Sequence, residues 1–438
     1  MFNIQKYKSK IVSAEEAVKV VKSGDRVVLH ANSCYPEILV NAMCERYQEL
    51  NDVEIAHLTI FQKPRFIDPE MQGHFRHNAL FTSGVTRKAI NEGRADFTPI
   101  FLSEIPIAIE KGVIPVDVLF LNLSPPDKHG YCSFGVSNEI SKTAAECAKI
   151  VIAQINPKMP RVLGDNFIHI DKIDYLVECE QELVDVPMVD PNITPEEQKV
   201  YTRIGEIIAS MIKDGDTLQM GIGAIPDAVL SFLTDKKDLG IHTEMFSDGL
   251  IDLIEMGVVT CDKKSLLPGK IVASFVIATK KTFDYIDNNP FIEFRTTKFV
   301  NDPFNIARND NMVSINSAIE VDLTGQVCSH SIGHKIYSGF GGQVDFIRGA
   351  SRSKNGRAIL AFPSTAKNDT ISKIVPTLNY GAGVTDTQAD VHYIVTEYGV
   401  ANLWGKTLRE RVKELIKIAH PKFRDELEKK AREFKYLW

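Results

Sequence analysis

Residues 214–249 read DGDTLQMGIGAIPDAVLSFLTDKKDLGIHTEMFSDG, and this stretch decides the fold and the chemistry expected of the chain. A short apolar run leads into Gly221 and Gly223, a helical stretch follows, and Glu244 stands after a second short strand, Leu239–Thr243. Glycines let the backbone approach a bulky ligand because they carry no Cβ. A carboxylate held rigidly at the end of a strand can act as a nucleophile. We therefore interpret Glu244 as a covalent nucleophile.

The composition indicates a globular chain with more than one domain. The chain has 438 residues, of which 44% are hydrophobic, and this is too long for one core. Its 51 basic and 57 acidic residues are interspersed and give a formal charge of -6. Binding to nucleic acid or to an anionic membrane usually needs a field of one sign. We expect a small-molecule partner, with no nucleic acid and no membrane.

The cysteines and the first residues favour a cytoplasmic protein. The N-terminal MFNIQKYKSKIVSAEEAV lacks the apolar segment of a signal peptide, and no stretch approaches the roughly 18 apolar residues of a membrane span. Seven scattered cysteines have no CxxC spacing, which favours reduced thiols over disulfides or a zinc ribbon. They are Cys34, Cys44, Cys132, Cys147, Cys179, Cys261 and Cys328.

Three landmarks recur in the same order in the two halves of the chain. The segment 23–29 resembles 214–220, and each is followed by a turn, a proline and a helical stretch. Further on, 127–133 resembles 322–329. Finally, 174–177 resembles 392–395. Each match alone is weak, but their common order predicts a duplicated domain.

The predicted halves have the pattern of an α/β fold with a mainly parallel sheet covered by helices. The apolar runs Val116–Leu121, Ile150–Ala153 and Ile359–Phe362 are short, rich in branched residues and separated by helical stretches. Three prolines and a possible N-cap, Thr194, place the boundary within Pro187–Pro195. We expect domains at 1–190 and 191–438, with ligands bound beyond the carboxyl ends of the strands.

Glu244 also has a less specific interpretation, as an acid that the helix dipole favours near the start of a helix. Ser247 or Asp248 could cap that helix. Superposing the two halves places His57 over His242, and therefore Thr59 over Glu244. The asymmetry and the neighbouring glycine turn favour a chemical role for the glutamate.

Two glycine clusters are candidate ligand contacts. GIGAIP, residues 221–226, lacks the lysine of a P-loop and the third glycine of a dinucleotide fingerprint, so it is either a tight turn or a surface for a flexible, amide-containing arm. The segment 338–346, SGFGGQVDF, is either a mobile loop or a source of N–H groups for a ligand or an oxyanion.

Metal and serine-hydrolase chemistry have no motif in the sequence. No HExxH or similar close pair joins the histidines, so we expect no metal, and no GxSxG elbow occurs. The carboxylate of Glu244 is then the best candidate nucleophile. The histidines that form no such motif include His30, His242, His330 and His420.

The segments GIGAIPDAV, HTEMFSDG, SGFGGQVDFIRGAS, VTEYGVA and IAHP together resemble the acetyl-CoA hydrolase/transferase family, and among its members the 4-hydroxybutyrate CoA-transferases. The resemblance runs over essentially the whole chain. It implies two duplicated α/β CoA-transferase domains, the second carrying the glutamate. It also implies CoA thioesters as substrates with no tightly bound cofactor, and a homodimer or a dimer of dimers.

The resemblance also assigns residues. Glu244 matches the glutamate that carries CoA as a glutamyl thioester, and the turn Gly221, Ile222, Gly223, Ala224 and Ile225 matches the CoA-contacting turn. Segments that contact CoA in relatives contain Ile319, Gly342 and Lys367. The first-half turn 30–36 departs from the family pattern, because Tyr35 stands where an acid is frequent.

The activity implied is ping-pong transfer of CoA between a short acyl-CoA, such as acetyl-CoA or butyryl-CoA, and a short acid such as 4-hydroxybutyrate. An acetyl-CoA hydrolase or a butyryl-CoA:acetate CoA-transferase is the alternative within the family. A non-catalytic CoA or nucleotide sensor is an alternative of another class, since it would keep the glycine turns without needing Glu244.

Overall fold

The computed structural model describes residues 4–186, 193–221 and 223–438. These form two compact units. The first unit runs to Val186 and also includes Glu244–Phe246 and Val272–Val300, and the second contains the other described residues. The first unit therefore contains Glu244. The domain bounds 1–190 and 191–438 stay a prediction, and residues 187–192 of the expected boundary lie outside the described residues.

The first 186 residues supply the large sheet of the first unit. The strands of these residues are β1 (Arg26–Leu29), β2 (Val53–His57), β3 (Phe75–Ala79), β4 (Asp96–Phe97), β5 (Val118–Leu123), β6 (Tyr131–Ser133), β7 (Ile150–Ile155), β8 (Phe167–His169) and β9 (Tyr175–Glu178), of which β6 and β8 pair with each other in a separate two-stranded sheet. The helices are α1 (Ala14–Ala17), α2 (Glu37–Glu45), α3 (Arg87–Asn91), α4 (Glu104–Glu110) and α5 (Ser141–Cys147). Short 3₁₀ helices occupy Ile4–Lys10, Val18–Val20, Asn32–Cys34, Tyr47–Glu49, Arg65–Ile67, Pro69–Met71 and Ile170–Lys172.

From residue 193 onward the chain alternates short strands and helices. The helices are α6 (Pro195–Met211), α7 (Ala224–Ser231), α8 (Gly249–Glu255), α9 (Lys280–Ile286), α10 (Thr297–Val300), α11 (Pro303–Ala307), α12 (Gln343–Arg352), α13 (Leu408–Ile418) and α14 (Pro421–Glu433). The strands are β10 (Thr217–Met220), β11 (Gly240–Ile241), β12 (Met245–Phe246), β13 (Ile271–Ala273), β14 (Phe275–Val276), β15 (Ile292–Phe294), β16 (Met312–Asn316), β17 (Glu320–Asp322), β18 (Val327–Cys328), β19 (Ser331–Ile332), β20 (Lys335–Ile336), β21 (Arg357–Ala361), β22 (Thr365–Ala366), β23 (Ile371–Ser372), β24 (Ile374–Val375), β25 (Tyr393–Thr396) and β26 (Gly399–Asn402).

The sheet of the first unit has seven strands in the order β4-β3-β2-β1-β5-β7-β9, and every neighbouring pair is parallel. All six residues of β5 are buried, as expected for a parallel strand covered on both faces. The predicted run Val116–Leu121 overlaps this strand. The unit has two buried apolar clusters, and the residues of β1, β5 and β7 are divided between these two clusters.

The second unit contains a six-stranded sheet in the order β11-β10-β16-β21-β25-β26, parallel except for the terminal β25–β26 pair. Its order β11-β10-β16-β21-β25 repeats the order β2-β1-β5-β7-β9 of the first sheet. The predicted matches of 23–29 with 214–220 and of 174–177 with 392–395 fall on corresponding strands. The predicted fold, a duplicated α/β structure with mainly parallel sheets, is confirmed.

Each sheet has a point at which successive strands are added on opposite sides. It lies between β1 and β5 in the first sheet and between β10 and β16 in the second. In open parallel sheets, ligands bind in the crevice beyond the carboxyl ends of the strands at this switch point. A ligand site is therefore expected at the two switch points.

Helix α6 begins with a capping box. Thr194 Oγ1 accepts a hydrogen bond from the N–H of Glu197 (3.2 Å), and the Glu197 carboxylate accepts one from the N–H of Thr194 (2.9 Å). This confirms Thr194 as the N-cap. Gly205 lies on the buried face of the helix, where an added Cβ would be 2.7 Å from the carbonyl carbon of Ala228 in α7. The backbones of α6 and α7 therefore approach closely at Gly205.

We expect Gly205→Ala to destabilise the protein by about 1–3 kcal/mol, although alanine is usually the better helix former. The reason is the clash with the backbone of Ala228, which cannot move aside as a flexible side chain could. Urea unfolding followed by circular dichroism measures the change, with exposed Ser210→Ala on the same helix as the control. An unchanged or higher midpoint for Gly205→Ala would contradict the close approach.

Candidate active site

The glycine turn of the second unit connects β10 to α7. Gly223 is the N-cap of α7 with φ +109°, a conformation that L-residues with a Cβ rarely adopt. No atom lies within 4 Å of a Cβ built at Gly221 or at Gly223. Ile222 lies outside the described residues. The turn therefore has open space beside its backbone, as a ligand-binding turn requires.

A cavity of about 460 Å³ lies at the switch point of the second sheet. Its walls come from the start of α6, the start of α7 and the segments that follow β16 and β21. It contains three of the residues predicted to contact CoA, namely Ala224, Ile225 and Lys367. The complete lining is Thr194, Glu196, Glu197, Val200, Tyr201, Ala224, Ile225, Pro226, Ser317, Pro363, Thr365, Ala366, Lys367, Asn368, Asp369 and Lys373.

Lys367 lies in the loop between β22 and β23. Three consecutive residues of this loop, Lys367, Asn368 and Asp369, have φ between 51° and 58°. Left-handed conformations are costly for residues other than glycine, and such strain occurs often at ligand sites. The hydrogen bonds that hold the loop include those from Thr370 Oγ1 to the Lys367 carbonyl (2.7 Å) and from Lys422 Nζ to the Asp369 carbonyl (3.1 Å).

Two further predicted CoA contacts, Ile319 and Gly342, are not among the residues that line this cavity. Ile319 is half-buried between β16 and β17, and its N–H donates to the Cys328 carbonyl (2.9 Å). Gly342 is the buried N-cap of α12. The next residue, Gln343, donates from Nε2 to Ser329 Oγ (2.8 Å) and to Asp386 Oδ2 (2.6 Å), which fixes the start of that helix.

The main chain around Glu244 is fixed on both sides. In the second unit, Thr243 Oγ1 donates to the carbonyl of Met220, the last residue of β10 before the glycine turn (3.3 Å). In the first unit, the Glu244 carbonyl accepts from the N–H groups of Ser274 (2.9 Å) and Phe275 (3.0 Å). Strand β12 then pairs with β14 in parallel. The side chain of Glu244 is half-buried.

The strand before Glu244 is shorter than predicted. Strand β11 covers Gly240–Ile241, whereas the sequence indicated Leu239–Thr243. The expected helix does follow. Asp248, one of the two candidate caps, occupies the N-cap position of α8.

The segment that supports Glu244 continues to the switch point of the first sheet. Val276 donates its N–H to the Val136 carbonyl, and Asn138 donates its N–H to the Ser274 carbonyl, both at 2.9 Å. Residues 136–138 thus run beside β14, with Ser137 and Phe275 forming an antiparallel bridge. The 3₁₀ helix Asn32–Cys34, which follows β1, packs against β14 as well.

Buried polar side chains are joined at this switch point. Asn32, with φ +55°, donates from Nδ2 to Ser137 Oγ (2.9 Å), and Ser137 Oγ donates to Glu139 Oε2 (2.5 Å). His30 Nε2 is 2.5 Å from the Ser137 carbonyl, while His30 Nδ1 accepts from the N–H of Asn122 (3.2 Å). Burial lowers the pKa of His30 to about 4, so the imidazole is neutral.

Glu139 is fully buried in this network, and burial raises the pKa of its carboxyl to about 7, against the lowering effect of the hydrogen bond from Ser137. Its backbone carbonyl accepts from the N–H (2.9 Å) and the Oγ1 (3.0 Å) of Thr297. Tyr35 of the same turn is also buried, and burial raises the pKa of its hydroxyl. The turn is therefore packed as part of the core.

The superposition of Thr59 on Glu244 was wrong by one residue. In the first sheet, Arg26 pairs with Glu54, and in the second the corresponding Thr217 pairs with Gly240. Counting forward from these pairs places Leu58 at the position of Glu244. The match of His57 with His242 had placed Thr59 there. Such a shift of one residue along a strand exchanges the two faces of the strand.

The comparisons with known proteins identify the family. Residues 2–190 match the acetyl-CoA hydrolase/transferase N-terminal domain, and residues 278–431 match the acetyl-CoA hydrolase/transferase C-terminal domain. The chain belongs to the acetyl-CoA hydrolase/transferase family. It is 53% identical to the 4-hydroxybutyrate coenzyme A transferase of Clostridium kluyveri, over 96% of this chain and 97% of that relative.

Solved structures agree with this family over the whole length. The 4-hydroxybutyrate CoA-transferase of Porphyromonas gingivalis has a TM-score of 0.84 and 40% identity, covering 99% of this chain and all of that one. RipA from Yersinia pestis has a TM-score of 0.91 and 36% identity, covering both chains completely. The predicted family, and CoA transfer as its class of activity, are confirmed.

Several residues of the two switch points were not predicted from the sequence. Asn32, Ser137 and Glu139 form no motif, and they meet only because β1 and β5 are neighbours in the sheet. Tyr201 and Lys373 line the cavity from distant segments. Near Asn32, Ser137 and Glu139, the one signal in the sequence was the departure of the turn 30–36 from the family pattern. Among the described residues, no cluster of three or more histidine, cysteine or acidic side chains could hold a metal ion.

No helix in the described ranges is long and apolar enough to cross a bilayer.

Alanine substitutions of Gly221 and Gly223 distinguish the effect of the turn on stability from its effect on binding. We expect Gly221→Ala to leave the free energy of unfolding unchanged, because its Cβ would meet open space and its φ is not positive. Gly223→Ala should cost about 1–2 kcal/mol, because its φ is positive. If the turn contacts CoA, both variants raise the KM for acetyl-CoA.

Gly257→Ala is the matched control for these two variants, because Gly257 also has a positive φ and open surroundings but does not line the cavity. It should lower stability and leave the KM unchanged. An unchanged KM in Gly221→Ala and Gly223→Ala would remove the turn from the CoA site.

The buried Glu139 carboxyl makes stability depend on pH. The folded protein keeps this proton up to about pH 7, whereas the unfolded chain releases it near its ordinary value of 4.5. Stability is therefore lost as the pH rises from 4.5 to 7, by a total on the order of 3 kcal/mol. Glu139→Gln has no proton to lose, so it should raise the melting temperature relative to wild type more at pH 8 than at pH 5.

Thermal melts of wild type, Glu139→Gln and the exposed control Glu146→Gln at pH 5 and pH 8 test this expectation. An equal effect of Glu139→Gln at both pH values would mean that the carboxyl does not change its ionisation in this range.

Proposed function

We propose that this protein transfers CoA between a short-chain acyl-CoA and a short carboxylic acid, with 4-hydroxybutyrate as the acid, through a covalent thioester of CoA with Glu244. One observation carries the proposal: three residues expected to contact CoA, Ala224, Ile225 and Lys367, line a single cavity at a sheet switch point. The substrate follows the relative that is 53% identical.

The chemistry needs a carboxylate nucleophile and proceeds in two halves. Glu244 attacks the acyl carbonyl of the donor, which forms a mixed anhydride and breaks the carbon–sulfur bond, so that CoA leaves as a thiolate. The thiolate then attacks the glutamyl carbonyl, which releases the first acid and forms the enzyme thioester. The incoming acid reverses both steps and leaves as the new acyl-CoA. The free energy of the thioester is retained in the new acyl-CoA, so no ATP is consumed.

The structure supports this role for Glu244 through its rigid main chain. The carbonyl of the residue is fixed by Ser274 and Phe275, and the preceding Thr243 is bonded to Met220. Only the side-chain torsions of Glu244 are then left to adjust. A nucleophile held in place saves the entropy of aligning it with the acyl carbon, and that contribution to catalysis can reach several kcal/mol.

The cavity is suited to the arm of CoA. Its lining combines apolar groups, such as Ile225, Pro226 and Val200, with polar side chains, such as Ser317 and Asn368. A pantetheine chain has methylenes and amides that match this mixture. Binding the arm away from the reacting carbon supplies energy that can be used to reach the strained anhydride step.

Hydrolysis of acyl-CoA is the alternative within the family, since the name of the matching family includes hydrolases. In a hydrolase, water attacks the enzyme thioester in place of the acid. We favour transfer because the 53% identical relative is a transferase by name. The domain bounds, a homodimer or dimer of dimers, a cytoplasmic location and the lack of a tightly bound cofactor are further parts of the proposal.

Mass spectrometry of the intact protein and an acceptor assay test the proposal together. Wild type mixed with acetyl-CoA alone should gain the mass of one CoA less water, and adding acetate or 4-hydroxybutyrate should remove the adduct with formation of the new acyl-CoA. Glu244→Ala should form no adduct and lose activity by a factor on the order of 10³ or more. Glu244→Asp should also be badly impaired, because its carboxylate is one methylene shorter.

The exposed Glu255→Gln on helix α8 is the matched control and should keep the adduct and the activity. Full transferase activity of Glu244→Ala, with no adduct in wild type, would rule out the covalent mechanism. Release of CoA at the same rate with and without an acid would favour hydrolysis.

A further inference from the structure

Lys373 lies between β23 and β24 and lines the cavity that contains Ala224, Ile225 and Lys367. Its main chain is held on both sides. The N–H of Lys373 donates to the Ser364 carbonyl (2.9 Å), and its carbonyl accepts from the N–H of Val321 (2.9 Å). The position of the residue in the cavity wall is thus fixed by the neighbouring strands.

The side chain of Lys373 is partly buried, and its Nζ lies 5.0 Å from the centre of the Phe362 ring. Within the described parts of the chain, no oxygen accepts a hydrogen bond from Nζ and no carboxylate forms an ion pair with it. Glu397 is the carboxylate that acts on it electrostatically. Both oxygens of Glu397 already accept from Ser364, one from its N–H (2.9 Å) and one from its Oγ (2.5 Å).

An ammonium group has three donors, and leaving them unsatisfied while water is excluded is costly. Burial lowers the pKa of Lys373 to about 8, with Glu397 opposing that shift. The amine is therefore still largely charged at neutral pH. A charged group with unused donors in the wall of a cavity is arranged to meet an anion.

Other groups around the cavity agree with an anionic ligand. Helix α7, eight residues long, begins in the wall with Ala224, and the first N–H groups of a helix lack acceptors within the helix and carry positive partial charge. Lys367 adds a second ammonium. Of the acids in the wall, Glu197 accepts two hydrogen bonds from Thr194 in the capping box of α6.

The remaining acids of the wall are Asp369 and Glu196. Asp369 Oδ1 accepts from Thr365 Oγ1 (2.5 Å), so one of its oxygens is occupied. Glu196 is exposed. The acids of the wall therefore compete less with an anionic ligand for the positive groups than their number suggests.

We propose that Lys373, together with the start of helix α7, binds a phosphate group of the CoA substrate. This rests on the proposed function. Glu244 is not among the residues that line the cavity, and the charge of CoA lies in the part of the molecule that is distant from the thioester. The phosphates are the anionic groups of that distant part, and a phosphate offers enough oxygens for an ammonium and helix N–H groups together.

Three acetyl donors test the proposal, namely acetyl-CoA, acetyl-dephospho-CoA, which lacks the 3′-phosphate, and acetyl-pantetheine, which lacks all phosphates. Lys373→Met keeps the length of the side chain and removes the charge. We expect it to raise the KM for acetyl-CoA about 10-fold or more, as the loss of a hydrogen bond between charged groups does. The KM for acetyl-pantetheine and the KM for the acid should not change, and Lys373→Arg should keep most of the affinity for acetyl-CoA.

The dephospho donor identifies which phosphate is bound. If the effect of Lys373→Met disappears with acetyl-dephospho-CoA, the 3′-phosphate is the partner, and if it persists, the pyrophosphate is. Both results support the proposal. Lys354→Met, at an exposed lysine outside the cavity, is the control for the removal of one positive charge.

An equal rise of KM for acetyl-CoA and acetyl-pantetheine, or a rise confined to the acid, would overturn the proposal. Titration calorimetry with CoA itself separates this outcome from failure of the proposed function. If wild type does not bind CoA, the function is wrong. If wild type and Lys373→Met bind CoA equally, only the role of Lys373 is wrong. Lys373→Gln is a second neutral variant in case Lys373→Met does not fold.

Discussion

The parallel pairing of β10 with β16 is the constraint on which the candidate site of the second unit depends. Four residue pairs, from Thr217 with Met312 to Met220 with Ile315, bring the carboxyl ends of the two strands to the same edge of the sheet. The glycine turn follows one strand and Ser317 follows the other. A slip in this register would move the start of α7 along the sheet edge and separate the groups that line the cavity.

A second constraint is the set of hydrogen bonds that hold Thr243 and Glu244. Thr243 is bonded to the end of β10, whereas Glu244 itself is bonded to the residues that begin β14. Backbone amides satisfy a carbonyl strongly and without side-chain freedom. Residues 136–138, which run beside β14, lead through Asn138 and Ser137 to buried Glu139, so the position of Glu244 depends on a polar network in the core of the first unit.

The sequence was sufficient to predict the fold because its signals were local and repeated. Apolar runs marked β5, β7 and β21, Thr194 was predicted as the N-cap of α6, and the order of the landmarks indicated the duplication. The cavity was partly predictable, since the resemblance named Ala224, Ile225 and Lys367. Register was not predictable, because matching histidines suggested Thr59 where the hydrogen-bonded pairs indicate Leu58. Lys373 and Glu139 carry no local pattern, and their environments exist only after distant strands pair.

Desolvation shifts the ionisation of both residues. Glu139 is surrounded by protein and hydrogen-bonded, so the network is most stable when its carboxyl is neutral. Lys373 lines a cavity, and an anion that enters there can supply the acceptors that the described residues do not. Glu139 is therefore suited to a structural role and Lys373 to binding an anion. The same desolvation raises the pKa of an acid and lowers that of an amine, and the difference in role follows from whether space for a ligand lies beside the group.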